Sequence, residues 1–214
     1  MSEWRHLGMR IVDGLTLERP LREVLRPAEL VPDRHGRARR LPRFFYEVES
    51  WDAARDIELA PHFTMAEFID VDVREHLLQR GFPRYVPCAV VVLAGGLELF
   101  RQAVGAKVYV AANGAYRTPR HELSRYATPH TWGAAANLYR IGDAYLDNQE
   151  IIEKYNQVAA GLTAAFRTRP YGPGVGEVDD HVHLDLGFLV EVPPEAPPES
   201  MGEPMPIDAD EPVE

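Results

Sequence analysis

The sequence contains one cysteine, Cys88, among its 214 residues. A single cysteine excludes an internal disulfide and any zinc site built from several thiolates. Cys88 opens the most apolar run of the chain, residues 88–97, where a small buried side chain is expected. That run falls short of the ~20 apolar residues that a membrane-spanning helix requires, which indicates a protein without membrane insertion.

The segment that follows Met1 also lacks the apolar core of a secretory signal. We therefore expect a cytoplasmic protein, for which lysis or a dedicated secretion apparatus would be the routes out of the cell. The sequence gives no indication of an oligomeric state.

Positive charge is scarce as well. The net charge is −10, and residues 193–214 contain seven acidic residues, seven prolines and no Lys or Arg. Such a segment cannot bury enough apolar surface to offset the entropy lost on ordering, so a disordered acidic tail is predicted. The opposite bias occurs in residues 34–40, which contain four arginines. Because this run has no interleaved aromatic residues and lies in an acidic chain, it favours a solvated loop and no nucleic-acid partner.

Proline divides the chain into two parts. Prolines at positions 20, 27, 32 and 42 prevent any long helix in residues 1–60, which we predict to be an irregular N-terminal extension. From residue 61 the pattern becomes regular. Thr64 and Glu67 have the spacing of a capping box, and apolar residues follow in helical spacing as far as Leu78. A second helix is predicted over residues 90–104.

The second half of the chain mixes both kinds of element. Strands are predicted over residues 107–112, 135–141 and 181–190, and an amphipathic helix is predicted to begin at Asp147 and continue to Phe166. Regular βαβ alternation is absent. The pattern therefore predicts an α+β fold, with a single domain over residues 61–192 in which helices pack on a small, mainly antiparallel sheet.

Two short histidine segments carry the chemistry. In residues 128–137, His130 is followed three positions later by Gly133 and seven positions later by Asn137. Glycine and the small residues around it let the backbone turn closely, so His130 and Asn137 can converge on one point. For this segment alone, an exposed loop histidine is the alternative interpretation.

In residues 181–186, polar residues alternate with aliphatic ones. As a strand, this segment places Val182 and Leu184 in the core. His181, His183 and Asp185 then share the opposite face. Imidazole and carboxylate groups are ordinary ligands of Zn²⁺. An exposed sheet face is the alternative interpretation.

Arg117 lies in a third segment, residues 114–119, at the end of a predicted strand. A guanidinium in that position can stabilise an oxyanion or hold a carboxylate. An ordinary surface arginine is the alternative.

Taken in their order along the chain, the three segments resemble those of the zinc D-alanyl-D-alanine carboxypeptidases and related peptidoglycan endopeptidases. That family has a Ser-x-His-x-x-Gly-x-Ala-x-Asp segment, then a His-x-His or Glu-x-x-His segment, with a Gly-Tyr-Arg-(Ser/Thr)-Pro turn upstream. The corresponding residues here are 128–137, 181–183 and 114–119. Residues 62–68 also resemble the Phe-(Ser/Thr)-x-x-Glu-Phe opening of one branch, so the resemblance spans about residues 61–190.

The resemblance implies a role for each matching residue. His130 and His183 would ligate Zn²⁺, with Asn137 in the position of the third ligand. His181 would act as the general base, or Asp180 in its place, since Asp180 stands three residues before a ligand as in the Glu-x-x-His branch.

For Arg117 the resemblance implies contact with the scissile carbonyl or its oxyanion. The implied substrate is a peptidoglycan stem peptide or a related peptide that contains D-amino acids, and the implied reaction is hydrolysis of a peptide bond.

One residue departs from the family pattern, because Asn137 stands where the family has an aspartate. An amide oxygen brings no charge and binds zinc more weakly than a carboxylate. Three outcomes follow: a hydrolase with a weaker or different metal site, replacement of the missing carboxylate by Asp185, or a catalytically impaired module that binds peptidoglycan or protein.

Overall fold

The computed structural model describes residues 5–189. In this part of the chain the α-helices are Arg19–Leu25 (α1), Trp51–Asp56 (α2), Met65–Ile69 (α3), Leu77–Arg80 (α4), Val90–Val104 (α5) and Gln149–Leu162 (α6). The strands are Arg5–His6 (β1), Met9–Asp13 (β2), Leu30–Pro32 (β3), Ala38–Arg40 (β4), Phe44–Val48 (β5), Glu58–Ala60 (β6), Phe63–Thr64 (β7), Arg84–Pro87 (β8), Val108–Val110 (β9), Ala135–Ile141 (β10), Ala144–Tyr145 (β11), Arg167–Thr168 (β12) and Val182–Asp185 (β13). The predicted disordered tail, residues 193–214, lies outside the described residues.

The strands form two main antiparallel sheets. One has the order β1-β2-β5-β8, and the other has the order β11-β10-β13-β12 with β9 paired to β10. Two short hairpins, β3–β4 and β6–β7, complete the strand pairings of the described chain. The fold is α+β, as the mixed pattern of helices and strands predicted.

Residues 5–60 are more regular than their prolines indicated. Here the prediction of an irregular extension is wrong. Strand β5 pairs with β8, so this region contributes to a sheet that continues past residue 61. Tyr46 and Val48 belong to the same buried cluster as helix α5. Pro20 is accommodated because it lies in the first turn of α1, where no amide hydrogen is needed for the helical ladder.

The predicted helix that begins at the Thr64 capping box ends after five residues. Both halves of the capping box are present, and α3 then stops at Ile69. The carbonyl oxygens of Phe68 and Asp70 accept hydrogen bonds from the backbone N–H groups of Tyr116 and Asn113, at 3.2 and 2.7 Å. Since these carbonyls are occupied by a distant turn, the helical ladder is not continued, and residues 70–76 separate α3 from α4.

Helix α5 has the bounds that the sequence predicted, and it forms the centre of the core. Leu93, Leu97 and Phe100 are completely buried on one of its faces. The helix ends at Gly105, which has a φ of 65° and donates its backbone N–H to the carbonyl of Arg101. Helix α5 contacts α6 and β10, and α6 contacts β13. The two helices therefore cover one face of the second sheet and leave its other face to the histidine segments.

Within residues 5–189, the structure contains no helix of the length and apolar character that a membrane crossing requires.

Candidate functional site

The centre of the candidate site is a side-chain pair on the second sheet. Strands β10 and β13 run antiparallel, with Asn137 directly opposite His183. Opposite residues of an antiparallel pair project from the same face. The neighbours Val182 and Leu184 are completely buried in the core on the other face. The alternating pattern thus places His183 and Asn137 side by side, with His183 Nδ1 2.9 Å from Asn137 Oδ1.

His130 reaches this pair from a single 3₁₀ turn, Pro129–Trp132. The turn ends at Gly133, whose φ of 64° is a left-handed conformation that glycine adopts without strain. His130 is 2% exposed, and its ring lies edge-on to that of His183 with 5.2 Å between the centroids. Three residues that are distant in sequence, His130, Asn137 and His183, therefore meet in the fold.

The hydrogen bonds of the two imidazoles determine which ring nitrogens carry hydrogen. His130 Nδ1 lies 2.8 Å from the carbonyl oxygen of Ala115, which can only accept, so Nδ1 is the donor and Nε2 keeps its lone pair. His183 lies between two oxygen acceptors, since its Nε2 is 2.9 Å from a carboxylate oxygen of Asp185 and its Nδ1 is 2.9 Å from Asn137 Oδ1. The charged carboxylate is the stronger acceptor, so the neutral ring carries its hydrogen on Nε2, and the lone pair of Nδ1 then faces the amide of Asn137.

The surroundings keep both rings neutral. Burial, reinforced by the nearby charge of Arg117, lowers the pKa of His130 well below its ordinary value. Burial also lowers the pKa of His183, against the opposing effect of its hydrogen bond to Asp185. Neutral imidazoles with one free lone pair each are the form in which histidine binds a metal ion.

The spacing of the two imidazole rings is compatible with a shared zinc ion. Two imidazoles that bind one tetrahedral zinc at ~2.0–2.1 Å have ring centroids about 5 Å apart, close to the 5.2 Å between His130 and His183. The free lone pair of His183 Nδ1 faces the Asn137 amide, and its donor on the other side is held by a carboxylate, as is usual for a metal-binding histidine. Among residues 5–189, no three His, Cys, Asp or Glu side chains are arranged to hold a metal ion. The side chains that meet here are instead two imidazoles and one amide.

Asp185 does not take the place of the missing carboxylate ligand. One of its oxygens accepts from His183 Nε2, and the other accepts from the backbone N–H of Gly187 at 2.7 Å. It therefore lies at the opposite ring nitrogen from Asn137. Its position serves to orient the imidazole of His183.

Arg117 lies beside the histidine pair. Its backbone N–H donates to the carbonyl of His130, and its Nε donates to the carbonyl of Asn113. The turn that contains Arg117 is fixed by the buried Glu75. Its carboxylate accepts hydrogen bonds from the backbone N–H and the hydroxyl of Thr118, at 2.9 and 2.6 Å. Burial is the main cause that lowers the pKa of Arg117 to about 10, so the guanidinium stays charged at neutral pH.

The two proposed bases, Asp180 and His181, lie at the surface beside the site. They contact each other through Asp180 Oδ1 and His181 Nδ1, at 2.5 Å. The Asp180 side chain is 79% exposed and that of His181 is 20% exposed. Within the described chain, no hydrogen bond, ion pair or ring contact joins either of them to His130 or His183. The strand alternation would have put His181 on the face of His183, but β13 begins only at Val182.

Arg169 is a further charged residue at this site, and the sequence pattern did not reveal it. Strand β12 pairs with β13 in the register Arg167 to Asp185 and Thr168 to Leu184. The next residue, Arg169, follows the end of β12, and its charge acts on both His130 and His183. Burial lowers the pKa of Arg169, while the nearby Asp185 raises it. Arg169 therefore lies close to the histidine pair, which only the pairing of β12 with β13 could reveal.

A second histidine, His121, supports the turn that carries Arg117. Its Nε2 donates to Asn113 Oδ1 at 3.0 Å, and its Nδ1 accepts from the backbone N–H of Leu123 at 3.0 Å. Asn113 Oδ1 also accepts from the backbone N–H of Asp72, which shows that the amide oxygen is the acceptor for both. Only the neutral ring satisfies this arrangement, since protonation at Nδ1 would break the bond from Leu123.

We expect His121 to make the protein less stable in mild acid. Burial, followed by the charge of Arg117, lowers its pKa to about 4. The unfolded chain takes up this proton near pH 6.5 and the folded chain only near pH 4, so stability is present above pH 6.5 and is lost as the pH falls towards 4. Between pH 7 and pH 5, this group should lower the free energy of unfolding, measured with urea, by an amount on the order of 1 kcal/mol. The free energy of unfolding of His121→Gln should fall less over the same pH interval. An equal fall in both proteins would contradict the assignment of this pH dependence to His121.

In comparisons with known proteins, no family model, curated protein or solved structure matches the chain.

Proposed function

We propose that this protein is a zinc-dependent, metallopeptidase-like hydrolase that acts on peptidoglycan stem peptides or related peptides containing D-amino acids. The observation that carries the proposal is the meeting of two neutral imidazoles, His130 and His183, with the amide of Asn137. These three residues would hold the metal. A bound zinc ion would supply Lewis acidity and lower the pKa of a water molecule at the site.

The other residues of the site suit the binding of a peptide. Arg117 remains charged beside His130 and can bind the scissile carbonyl and the negative charge that develops on its oxygen. The Asp180–His181 pair is the group available to take up a proton at the edge of the site. Because His181 and Asp180 are hydrogen-bonded to each other at the surface, either one reaches substrate only by a change of side-chain rotamer.

Zinc and a D-amino-acid peptide are the cofactor and partner that the proposal requires, with no nucleic acid.

The second candidate function is a non-catalytic module that binds peptidoglycan or protein on the same scaffold. Asn137 favours this alternative, because a neutral amide provides less affinity for zinc than the carboxylate of the related enzymes. The exposed position of Asp180 favours it too, since a working base has to contact the reacting water.

Metal content tests the proposal directly. We expect the purified full-length chain to retain close to one zinc per molecule, measured by atomic emission after gel filtration in metal-free buffer. His183→Ala should lose this zinc, because it removes a ligand. His35→Gln removes an exposed histidine elsewhere and should leave the content unchanged. Less than about a tenth of a zinc per chain in the unaltered protein would rule out the catalytic proposal, given the tight binding of functional sites.

A further inference from the structure

A row of three side chains crosses the second sheet near the end of strand β10. Arg140 lies directly opposite Tyr109 of β9 and also opposite Tyr145 of β11. Opposite residues of antiparallel strands project from the same face of a sheet. The Arg140 guanidinium accordingly lies over both rings, 3.9 Å from the ring centroid of Tyr109 and 5.7 Å from that of Tyr145.

An irregularity in β10 places two consecutive side chains on the outer surface. The pairing of β10 with β9 shifts register between Leu138 and Arg140, as at a β-bulge. Leu138 and Ile141 are buried in the core, whereas Tyr139 is 38% exposed and Arg140 is partly exposed. The ring of Tyr139 therefore joins the row, with 5.9 Å between its centroid and that of Tyr109.

Four side chains make up this patch, which we call the tyrosine surface: Tyr109, Tyr139, Arg140 and Tyr145. It is exposed and positively charged, since Tyr145 is 56% exposed and Lys107 Nζ lies 4.7 Å from the ring centroid of Tyr109. Within residues 5–189, neither Lys107 nor Arg140 forms an ion pair with a carboxylate. Arg140 Nε is buried and has no hydrogen-bond partner in this part of the chain. A partner for the surface should bring negative charge and groups that pack on aromatic rings.

The sequence beyond the described residues has both properties. The last described residue is Leu189, and residues 193–214 combine seven prolines with seven acidic residues. They begin with the run PPEAPPE, in which Pro194 and Pro197 have the spacing of a PxxP motif. Proline-rich sequences of this kind bind, in the polyproline II conformation, to surfaces lined with aromatic rings.

The dimensions of the motif and of the surface agree. A polyproline II helix has three residues per turn and rises ~3.1 Å per residue, so Pro194 and Pro197 would share one face about 9 Å apart. Adjacent strands are ~4.8 Å apart, so Tyr109 and Tyr145 on the two sides of β10 are separated by about 10 Å. An acidic residue stands between the two prolines in the sequence, as an arginine stands between the two tyrosines in the row.

The motif can reach the surface from the point where the described chain ends. Leu189 packs in the apolar cluster that contains Ala134, the residue immediately before β10. Along β10, Arg140 lies about 17 Å from this end, at ~3.4 Å per residue. Residues 194–197 can extend from Leu189 by about 16 to 25 Å in the polyproline II conformation. The prolines and the tyrosines are therefore within reach of each other.

We propose that the tyrosine surface is the docking site of the proline-rich acidic segment, residues 193–214, of the same chain. The prolines of the PxxP motif pack on Tyr109 and Tyr145, and the neighbouring carboxylates pair with Arg140 and Lys107. Because the segment is tethered, its effective concentration at the surface is about 1 mM. A contact with a dissociation constant of about 100 μM is then occupied in about nine molecules of ten. The docking depends on neither zinc nor hydrolysis.

Limited proteolysis of the full-length protein with a glutamate-specific endoprotease tests the proposal. The rate of cleavage after Glu199, followed by mass spectrometry, should rise at least about fivefold in Tyr145→Ala, because the segment is then accessible in every molecule. Arg140→Gln should raise the rate as well. Tyr126→Ala is the matched control: Tyr126 is exposed to nearly the same extent, 54% against 56%, but lies in another segment, and its variant should leave the rate unchanged.

Three outcomes of the proteolysis would overturn the proposal. The first is an equal rate in the unaltered chain and in all these variants. The second is a higher rate in Arg37→Gln, which would place the segment on the exposed arginines of the β3–β4 hairpin. The third is faster cleavage on dilution over about a hundredfold range of protein concentration, which would show that the segment of a second copy occupies the surface.

A change confined to the segment guards against a folding defect in the surface variants. The double variant Pro194→Ala and Pro197→Ala leaves the described chain untouched. With 3-fluorotyrosine incorporated, and each signal assigned by replacing one tyrosine with phenylalanine, the fluorine resonances of Tyr109 and Tyr145 should move in the double variant. The resonance of Tyr126 should stay in place. Unmoved resonances of Tyr109 and Tyr145 would contradict docking at this surface.

Discussion

Replacing Gly114 by alanine is expected to destabilise the protein by more than about 3 kcal/mol. An added Cβ would lie 2.4 Å from the carbonyl oxygen of Ala111 and 2.9 Å from that of Asn137. Both are backbone atoms, so no side chain can rotate away to make room. The clash would separate the turn before Arg117 from β10, although these segments are joined by hydrogen bonds from Asn137 N–H to Gly114 and from Ala111 N–H to Asn137.

Gly95 provides the matched control for this substitution. It lies in helix α5 at an exposed position, and an added Cβ there would meet nothing within 4 Å. Because alanine favours the helix over glycine, Gly95→Ala should stabilise the protein by about 0.5–1 kcal/mol. Urea unfolding followed by circular dichroism measures both variants. A free energy of unfolding of Gly114→Ala within 1 kcal/mol of that of the unaltered chain would contradict this prediction, because it would show that the two segments can separate at little cost in stability.

The elements predicted best from sequence are those whose patterns need no distant partner. Helix α5 has its predicted bounds because its apolar residues are regularly spaced and Gly105 ends it. Strand β10 also has its predicted bounds, Ala135–Ile141. The helix after Thr64 is shorter than predicted, because the hydrogen bonds that end it come from the backbone N–H groups of Asn113 and Tyr116, more than 40 residues away. Local propensity contains no information about such bonds.

The residues of the candidate site were likewise predictable only where local patterns determine their positions. The sequence pattern selected His130, Asn137 and His183, which meet in the fold because strand alternation and a glycine turn determine their directions. Arg169 could not be found, since its place near the site depends on the pairing of the short strand β12 with β13. In the arginine run, Arg34, Arg37 and Arg40 are exposed, as the predicted solvated loop requires, but Ala38–Arg40 forms strand β4 of a hairpin that the sequence did not predict.

If His130 and His183 hold zinc as proposed, Asn137→Asp is expected to increase zinc affinity by about 10- to 100-fold, because a carboxylate binds zinc more strongly than an amide. The variant adds a negative charge next to His183 Nδ1, where the amide oxygen now lies at 2.9 Å. Asp185 continues to hold the other ring nitrogen, so the imidazole keeps the orientation that leaves Nδ1 free. Competition against a fluorescent zinc chelator measures the affinity of both proteins.

Asn148→Asp is the control, because it introduces the same charge at the N-cap of α6, where aspartate caps as well as asparagine. Its zinc affinity should equal that of the unaltered chain. Equal affinity in Asn137→Asp would show that position 137 lies outside the metal coordination. Cleavage of a D-alanyl-D-alanine peptide separates the two candidate functions: activity in the unaltered chain identifies an enzyme, whereas activity that appears only in Asn137→Asp identifies a binding module that retains the scaffold of a hydrolase. In either case, the side chain at position 137 is the one change that distinguishes the two candidate functions.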